Sequence, residues 1–208
     1  MKNLILFLFL LVFQSYIHSQ TNDSIVNSKQ IKSNPIVYVE NLLGYSNGGY
    51  KGLTGGGNIN YQYKNNLFTL RLLELNNYKK EGTFIVIPVY TLIERVNEYA
   101  LLFGKRLIEG NTSYSYSAGI SILERKYLDD KSKTPLLYNR NQNIGFPFEF
   151  NIKWFNSKKE RYRIYEIIKV GKPTAFANSI GFKFYGGISK KSFVGFGLTV
   201  GLGFHKKY

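Results

Sequence analysis

The 208-residue chain has no cysteine. Disulfides, thiolate metal sites and a cysteine nucleophile are therefore excluded. Histidine is nearly as scarce, with only His18 and His205. One imidazole beyond residue 20 and no thiol cannot assemble a His/Cys zinc site, and a Ser-His-Asp triad would have to be built on His205. No Walker A sequence occurs. The Gly-x-Gly pairs of GFGLTVGLG (195–203) open no helix, and GGGNIN (55–60) lies inside a strand pattern, so neither reads as a phosphate loop. After the first twenty residues no apolar run reaches the roughly 20 residues of a transmembrane helix. If the later chain crosses a membrane, only a closed barrel can do it, because lipid offers no partner to unpaired backbone groups.

The one long apolar run is Leu4 to Phe13, between Met1-Lys2-Asn3 and the polar QSYIHSQ. This is the layout of a secretory signal peptide with cleavage near Ser19 or Gln20; a buried N-terminal helix is the alternative. No cysteine follows the run, so no lipoprotein anchor is expected. Residues 1–20 are assigned to the signal, 21–35 to a flexible lead and 36–208 to one domain. An exported domain without disulfides must rely on a core or on strand closure.

The formal charge is +15. A nucleic-acid partner is one reading of such a charge, and the export signal argues against it. The bases also fall between strand patterns, at 79–80, 131–133, 158–159, 190–191 and 206–207. They read as solvated loop ends, with attraction to anionic lipid headgroups as a further reading.

The stretch NTSYSYSAGISILE (111–124) alternates strictly. Tyr114, Tyr116, Ala118, Ile120 and Ile122 form one face, and Ser113, Ser115, Ser117, Gly119 and Ser121 the other, as in a strand with two unlike faces. The pattern recurs. It predicts strands at 36–46, from Leu53 to the tight turn Lys64-Asn65-Asn66, at 67–77, 98–107, 111–124, 144–155 and 179–187, and from Ser192 to Phe204. The segment 144–155 alternates most strongly, with Pro147 expected to force a bulge or a strand end. Residues 125–143 read as a loop. Residues 78–95 admit an extra strand pair, a short helix or an extended rim; within 157–178, RYRIYEIIKV admits a further strand and GKPTAFAN reads as a loop. The fold class expected is all-β, an antiparallel up-and-down transmembrane β-barrel of about eight strands, or ten if both open segments pair.

Alternation alone does not separate a lipid-facing barrel from a soluble sandwich or lipocalin-type barrel. The composition of the polar face separates them further. It holds Gly, Ser, Asn and Thr in position after position, where a solvent face needs no such economy of size and the lumen of a narrow barrel does. Among these small residues stand Glu40, Arg71, Arg106, Glu149, Lys153 and Lys183, expected to be lumenal and so to pair. Arg71, Arg106 and Lys183 are the candidate partners of Glu149. The other face is bulky and nearly free of charge, with Tyr45, Tyr63, Tyr99, Trp154 and Phe204 placed to form interfacial girdles.

The signal sequence, the Gly- and aromatic-rich alternating strands and the C-terminal strand FVGFGLTVGLGFHKKY resemble the small outer-membrane β-barrel proteins of Gram-negative bacteria, particularly those of the Bacteroidota. The resemblance covers roughly residues 36–208 as a pattern. It implies residence in the outer membrane, contact with its lipids, and insertion by the barrel-assembly machinery guided by an aromatic C-terminal strand. Phe204 and Tyr208 match that signal, while Lys206-Lys207 departs from it.

The function expected is a non-enzymatic integral barrel with a packed polar lumen, structural or binding through its loops, with no cofactor, no metal and no nucleic acid. Two alternatives stand beside it. One is a soluble exported barrel that binds an apolar ligand within an inward-facing aromatic set. The other is a lipid-modifying barrel enzyme using His205.

Overall fold

The computed structural model describes residues 35–84, 87–128, 138–156, 158, 160–164 and 167–206. The assigned signal and lead, apart from Pro35, lie outside these residues, as does Tyr208.

The described residues form ten strands: β1 (Ile36–Gly48), β2 (Gly52–Tyr63), β3 (Asn66–Phe84), β4 (Ile87–Glu109), β5 (Thr112–Leu128), β6 (Tyr138–Phe155), β7 (Glu160–Ile164), β8 (Ile168–Thr174), β9 (Phe176–Ile188) and β10 (Phe193–Phe204). Eight close into a ring in the order β1-β10-β9-β6-β5-β4-β3-β2, and every neighbouring pair is antiparallel. The strands β7 and β8 pair only with each other, as a separate hairpin inserted between β6 and β9. The described residues thus hold ten strands, eight of them in the barrel. Closure leaves the ring without a free edge along its shared height.

Local chemistry explains the tight turns. Lys64-Asn65 joins β2 to β3, with Lys64 at a φ of 54°, and Gly110-Asn111 joins β4 to β5, with Gly110 at 57°. Gly110 takes its positive φ without steric cost, whereas at the other turn the non-glycine Lys64 occupies that position.

Of the two open segments, 157–178 carries the β7–β8 hairpin and 78–95 resolves as strand extensions. Residues 78–84 prolong β3 and 87–95 prolong β4, with register shifts between Asn77 and Tyr78 and between Lys80 and Gly82. Propensity gave little guidance there because Pro88 interrupts the apolar run, yet Pro88 pairs with Thr83 near the hairpin's end. Of the expected loop 125–143, residues 125–128 belong to β5 and 138–143 to β6, and the rest lies outside the described residues.

Pro147 produces neither a bulge nor a strand end. Pairing with β5 lapses between Ala118↔Phe148 and Ser121↔Gly145 and resumes in the same register. On its other side Pro147 still stands opposite Gly187. Tyr99, expected near a strand end, lies mid-strand because β4 starts well before it.

Burial follows parity with few exceptions. In β1, Ile36, Tyr38, Glu40 and Leu42 are buried, while Val37, Val39, Leu43 and Tyr45 are exposed. The interior therefore accommodates some large residues, and glycines opposite them make the room. A Cβ at Gly195 would lie 2.5 Å from Tyr185 Cζ and 2.6 Å from Ser46 Oγ, and Tyr185 is fully buried.

Candidate functional site: the charged lumen

Strand parity sends Glu40 from β1, Arg71 from β3, Glu98 from β4, Glu149 and Lys153 from β6 and Lys183 from β9 to one interior face, and all six are buried. Two short chains of ion pairs meet there. Arg71 Nη2 lies 2.6 Å from Glu98 Oε2, and Arg71 Nη1 lies 3.6 Å from Glu149 Oε2. Lys183 Nζ lies 3.3 Å from Glu149 Oε2 and 3.1 Å from Glu40 Oε2, and Lys153 contacts the other oxygen of Glu40. Three acids thus face three bases. In ring order β1 and β3 each stand three strands from β6, so the pairs tie opposite walls together.

Neutral donors complete the network. Asn58 Nδ2 donates to Glu149 at 3.2 Å, Asn151 Nδ2 to Glu149 at 3.3 Å and Asn60 Nδ2 to Glu40 at 3.0 Å. Thr69 Oγ1 donates to Asn60 Oδ1 at 2.8 Å, fixing the orientation of that amide. Arg71 also donates to the backbone carbonyls of Phe148 and Gly186. Buried charges are tolerable when paired and hydrogen-bonded in this way.

Arg106 stands apart from the carboxylates. Its guanidinium donates to Gln62 Oε1 and the His205 carbonyl, each at 3.0 Å, and to Ser113 Oγ at 3.1 Å. It lies 4.8 Å from the centroid of the Tyr38 ring and 5.5 Å from that of Phe155, where aromatic faces stabilise a cation. Of the three cations expected around Glu149, Arg71 and Lys183 therefore reach it, and Arg106 instead fills the end of the lumen nearest the strand termini. His205 joins it there, with its ring 5.0 Å from Tyr38 and stacked on Phe155 at 5.5 Å. At the other end Leu42, Tyr50, Leu73, Leu75, Val96, Leu123, Tyr185 and Phe193 form an apolar cluster.

Sequence reasoning missed Glu98, Asn58 and Asn60 as members of the network and His205 as a lumenal plug. The signal for Glu98 was present, since it shares parity with Ala100, Leu102, Gly104 and Arg106. The alternation alone opens that strand at Glu98, whereas β4 begins eleven positions earlier at Ile87.

Among the described residues neither ring nitrogen of His205 bonds a side chain, and the polar group beside the ring is the Ala177 backbone. No group of three or more His, Asp or Glu there could hold a metal ion. Phe204, the last residue of β10, faces outward with its ring 5.4 Å from Phe176.

The outer face is the inverse of the lumen. Leu43, Leu101, Ile120, Ile144, Phe150, Ile180, Phe196 and Val200 are each more than half exposed. Tyr45, Tyr63, Tyr99, Trp154 and Phe204 share that face.

A closed ring of eight antiparallel strands, apolar outside and polar within, is the architecture of small outer-membrane barrels. No protein-family model and no curated protein sequence matches the chain. Among solved structures, the N-terminal β-barrel domain of Pseudomonas aeruginosa OprF is similar over 83% of this chain and 100% of that one, with a TM-score of 0.51 and 15% identity. Neisserial surface protein A aligns over 82% and 96%, at TM-score 0.49 and 11% identity. Ail, the attachment invasion locus protein of Yersinia pestis, aligns over 83% and 99%, at TM-score 0.48 and 10% identity. The likeness to the OprF domain is one of fold.

Proposed function

We propose that this chain is an integral outer-membrane barrel, non-enzymatic and closed to bulk solutes, whose role is structural or is carried by the segments projecting beyond the ring. The observation that carries the reading is the inversion of faces. More than thirty large apolar side chains point outward, and the charged and amide side chains point inward. In water the outer surface would be a continuous apolar patch far beyond what a soluble monomer exposes; in a bilayer it is the face that meets hydrocarbon.

The interior supports the remainder. An eight-stranded ring leaves space for side chains only, and here ion pairs, an apolar cluster and the Arg106–His205 plug occupy it. A soluble barrel holding an apolar ligand would need the aromatic face inside. The leader, the barrel-assembly machinery acting on the Phe204 end of β10, and the lipids of the outer membrane belong to the same proposal, as does an origin in the Bacteroidota.

Cell fractionation tests it. The mature chain should sediment with the outer membrane, resist salt and carbonate extraction, and need detergent for purification. Recovery in the soluble periplasm without detergent contradicts the reading.

A further inference from the structure

The wall of the barrel has unequal height at the end away from Ile36 and Phe204. There β3 and β4 run on to Phe84 and Ile87, and β5 and β6 to Leu128 and Tyr138. On the opposite half β1 turns into β2 at Gly48–Gly52 and β9 into β10 at Ser189–Ser192. A strand crossing hydrocarbon needs about 9–11 residues. β2 and β10 have 12 each, so under the membrane reading these two turns lie at headgroup level.

The two turns touch each other. The Gly49 N–H donates to the Ser192 carbonyl at 2.6 Å. Together they carry Lys51, Lys190 and Lys191, all exposed, and neither turn contains an acid. The raised half differs in setting Glu74, Glu81, Glu94 and Glu124 among its bases, of which Lys79 and Lys80 form no ion pair among the described residues. Its Arg95 pairs with Glu74, Arg125 with Glu94, and Lys126 and Arg140 both with Glu124. The low rim thus holds three cations for which no ion pair forms among the described residues. Directly below it the outward face continues with Tyr45, Leu53, Ile188 and Val194. Cations above an apolar wall match a lipid with a negatively charged headgroup over its acyl chains.

We propose that this low rim binds the phosphate of an anionic membrane lipid, an inference that rests on the membrane reading above. The contiguous turns set three ammonium groups on one side of the barrel, open laterally to the bilayer. The raised β3–β6 wall closes the other side.

The test measures heat unfolding of the full barrel in neutral detergent micelles doped with phosphatidylglycerol, with phosphatidylcholine, or with inorganic phosphate alone. Phosphatidylglycerol should raise the midpoint of the parent, and the other two should not. A Lys51→Gln, Lys190→Gln, Lys191→Gln variant should lose the response. A charge-matched control, Lys158→Gln, Lys169→Gln, Lys172→Gln, lies beyond the other end of the barrel and should keep it. Each lysine near a lipid surface is worth about fivefold in affinity at low salt, so the rim variant should bind about a hundredfold more weakly. A rim variant that responds like the parent overturns the inference and leaves the barrel reading intact. An equal response to phosphatidylcholine removes the anionic requirement and overturns it too. A response to inorganic phosphate alone assigns the rim to a free anion and overturns the lipid assignment. A chain that stays soluble without detergent overturns both the inference and the membrane reading.

Discussion

Arg71 donates to Glu98 across adjacent strands at 2.6 Å, with both side chains shut away from solvent. Glu98→Gln keeps the shape of the acid and removes its charge, leaving Arg71 with only the more distant Glu149. Breaking a buried pair by one partner costs about 3–5 kcal/mol. The Arg95–Glu74 pair is nearly half exposed on both sides, and such surface pairs are worth about 0–1 kcal/mol. Glu98→Gln should therefore unfold at clearly lower denaturant in detergent, and Glu74→Gln should track the parent. Equal destabilisation by the two would mean that water reaches Arg71.

Glu149 is coupled to Lys183 but not to Arg106, since Lys183 lies 3.3 Å away and Arg106 is engaged with Gln62, Ser113 and His205. A double-mutant cycle of Glu149→Gln with Lys183→Met should give a coupling of about 1–3 kcal/mol, whereas the cycle with Arg106→Met should be additive within about 0.5 kcal/mol. Comparable coupling in the two cycles would contradict the separation of Arg106 from the network.

The strand pattern made the ring legible because one face of each strand meets the exterior and the other a narrow lumen. Under that constraint Phe150 and Asn151 cannot exchange sides without inverting the whole strand. The pattern failed where the constraint ends. Beyond the ring, residues 78–82 and 88–90 are exposed on both faces, so no parity survives to mark Tyr78 or Tyr90 as strand. The hairpin of β7 and β8 shows the same loss, with Ile168, Lys169 and Val170 all exposed. Among the site residues, charge type and parity pointed to Arg71, Glu149 and Lys183. Two of the three cations named for Glu149, Arg71 and Lys183, meet it; which of the three would stand apart was not legible, because which strands face each other across a lumen depends on closure and stagger that no local sequence encodes. Arg106 shows the limit: it has the same parity as the others and a different neighbourhood.

His205 follows the last residue of β10 and folds beneath Tyr38 and Phe155. Burial, and then the nearby positive charges of Arg106 and Lys153, pull its imidazole down to about 3. The folded chain keeps it neutral over a range in which the unfolded chain protonates it. This contribution is fully present above the ordinary histidine value of about 6.5 and is lost as pH falls toward the folded value. His205→Phe removes the titrating group, so its unfolding midpoint should fall less than the parent's between pH 7 and pH 4. Equal slopes would show that His205 is open to solvent in the folded state.

The most direct test of the inverted barrel uses the absence of native cysteine. Single cysteines placed along β6 at Ile144, Phe146, Glu149, Phe150, Asn151, Ile152, Lys153 and Trp154 can be challenged, in reconstituted vesicles, with a lipid-soluble maleimide. Ile144, Phe146, Phe150, Ile152 and Trp154 face outward and should label from the bilayer. Glu149, Asn151 and Lys153 are buried and should not. A two-residue alternation with that phase is the predicted result; labelling of the Glu149, Asn151 and Lys153 positions with protection of the others would contradict the lipid-facing assignment of the aromatic wall.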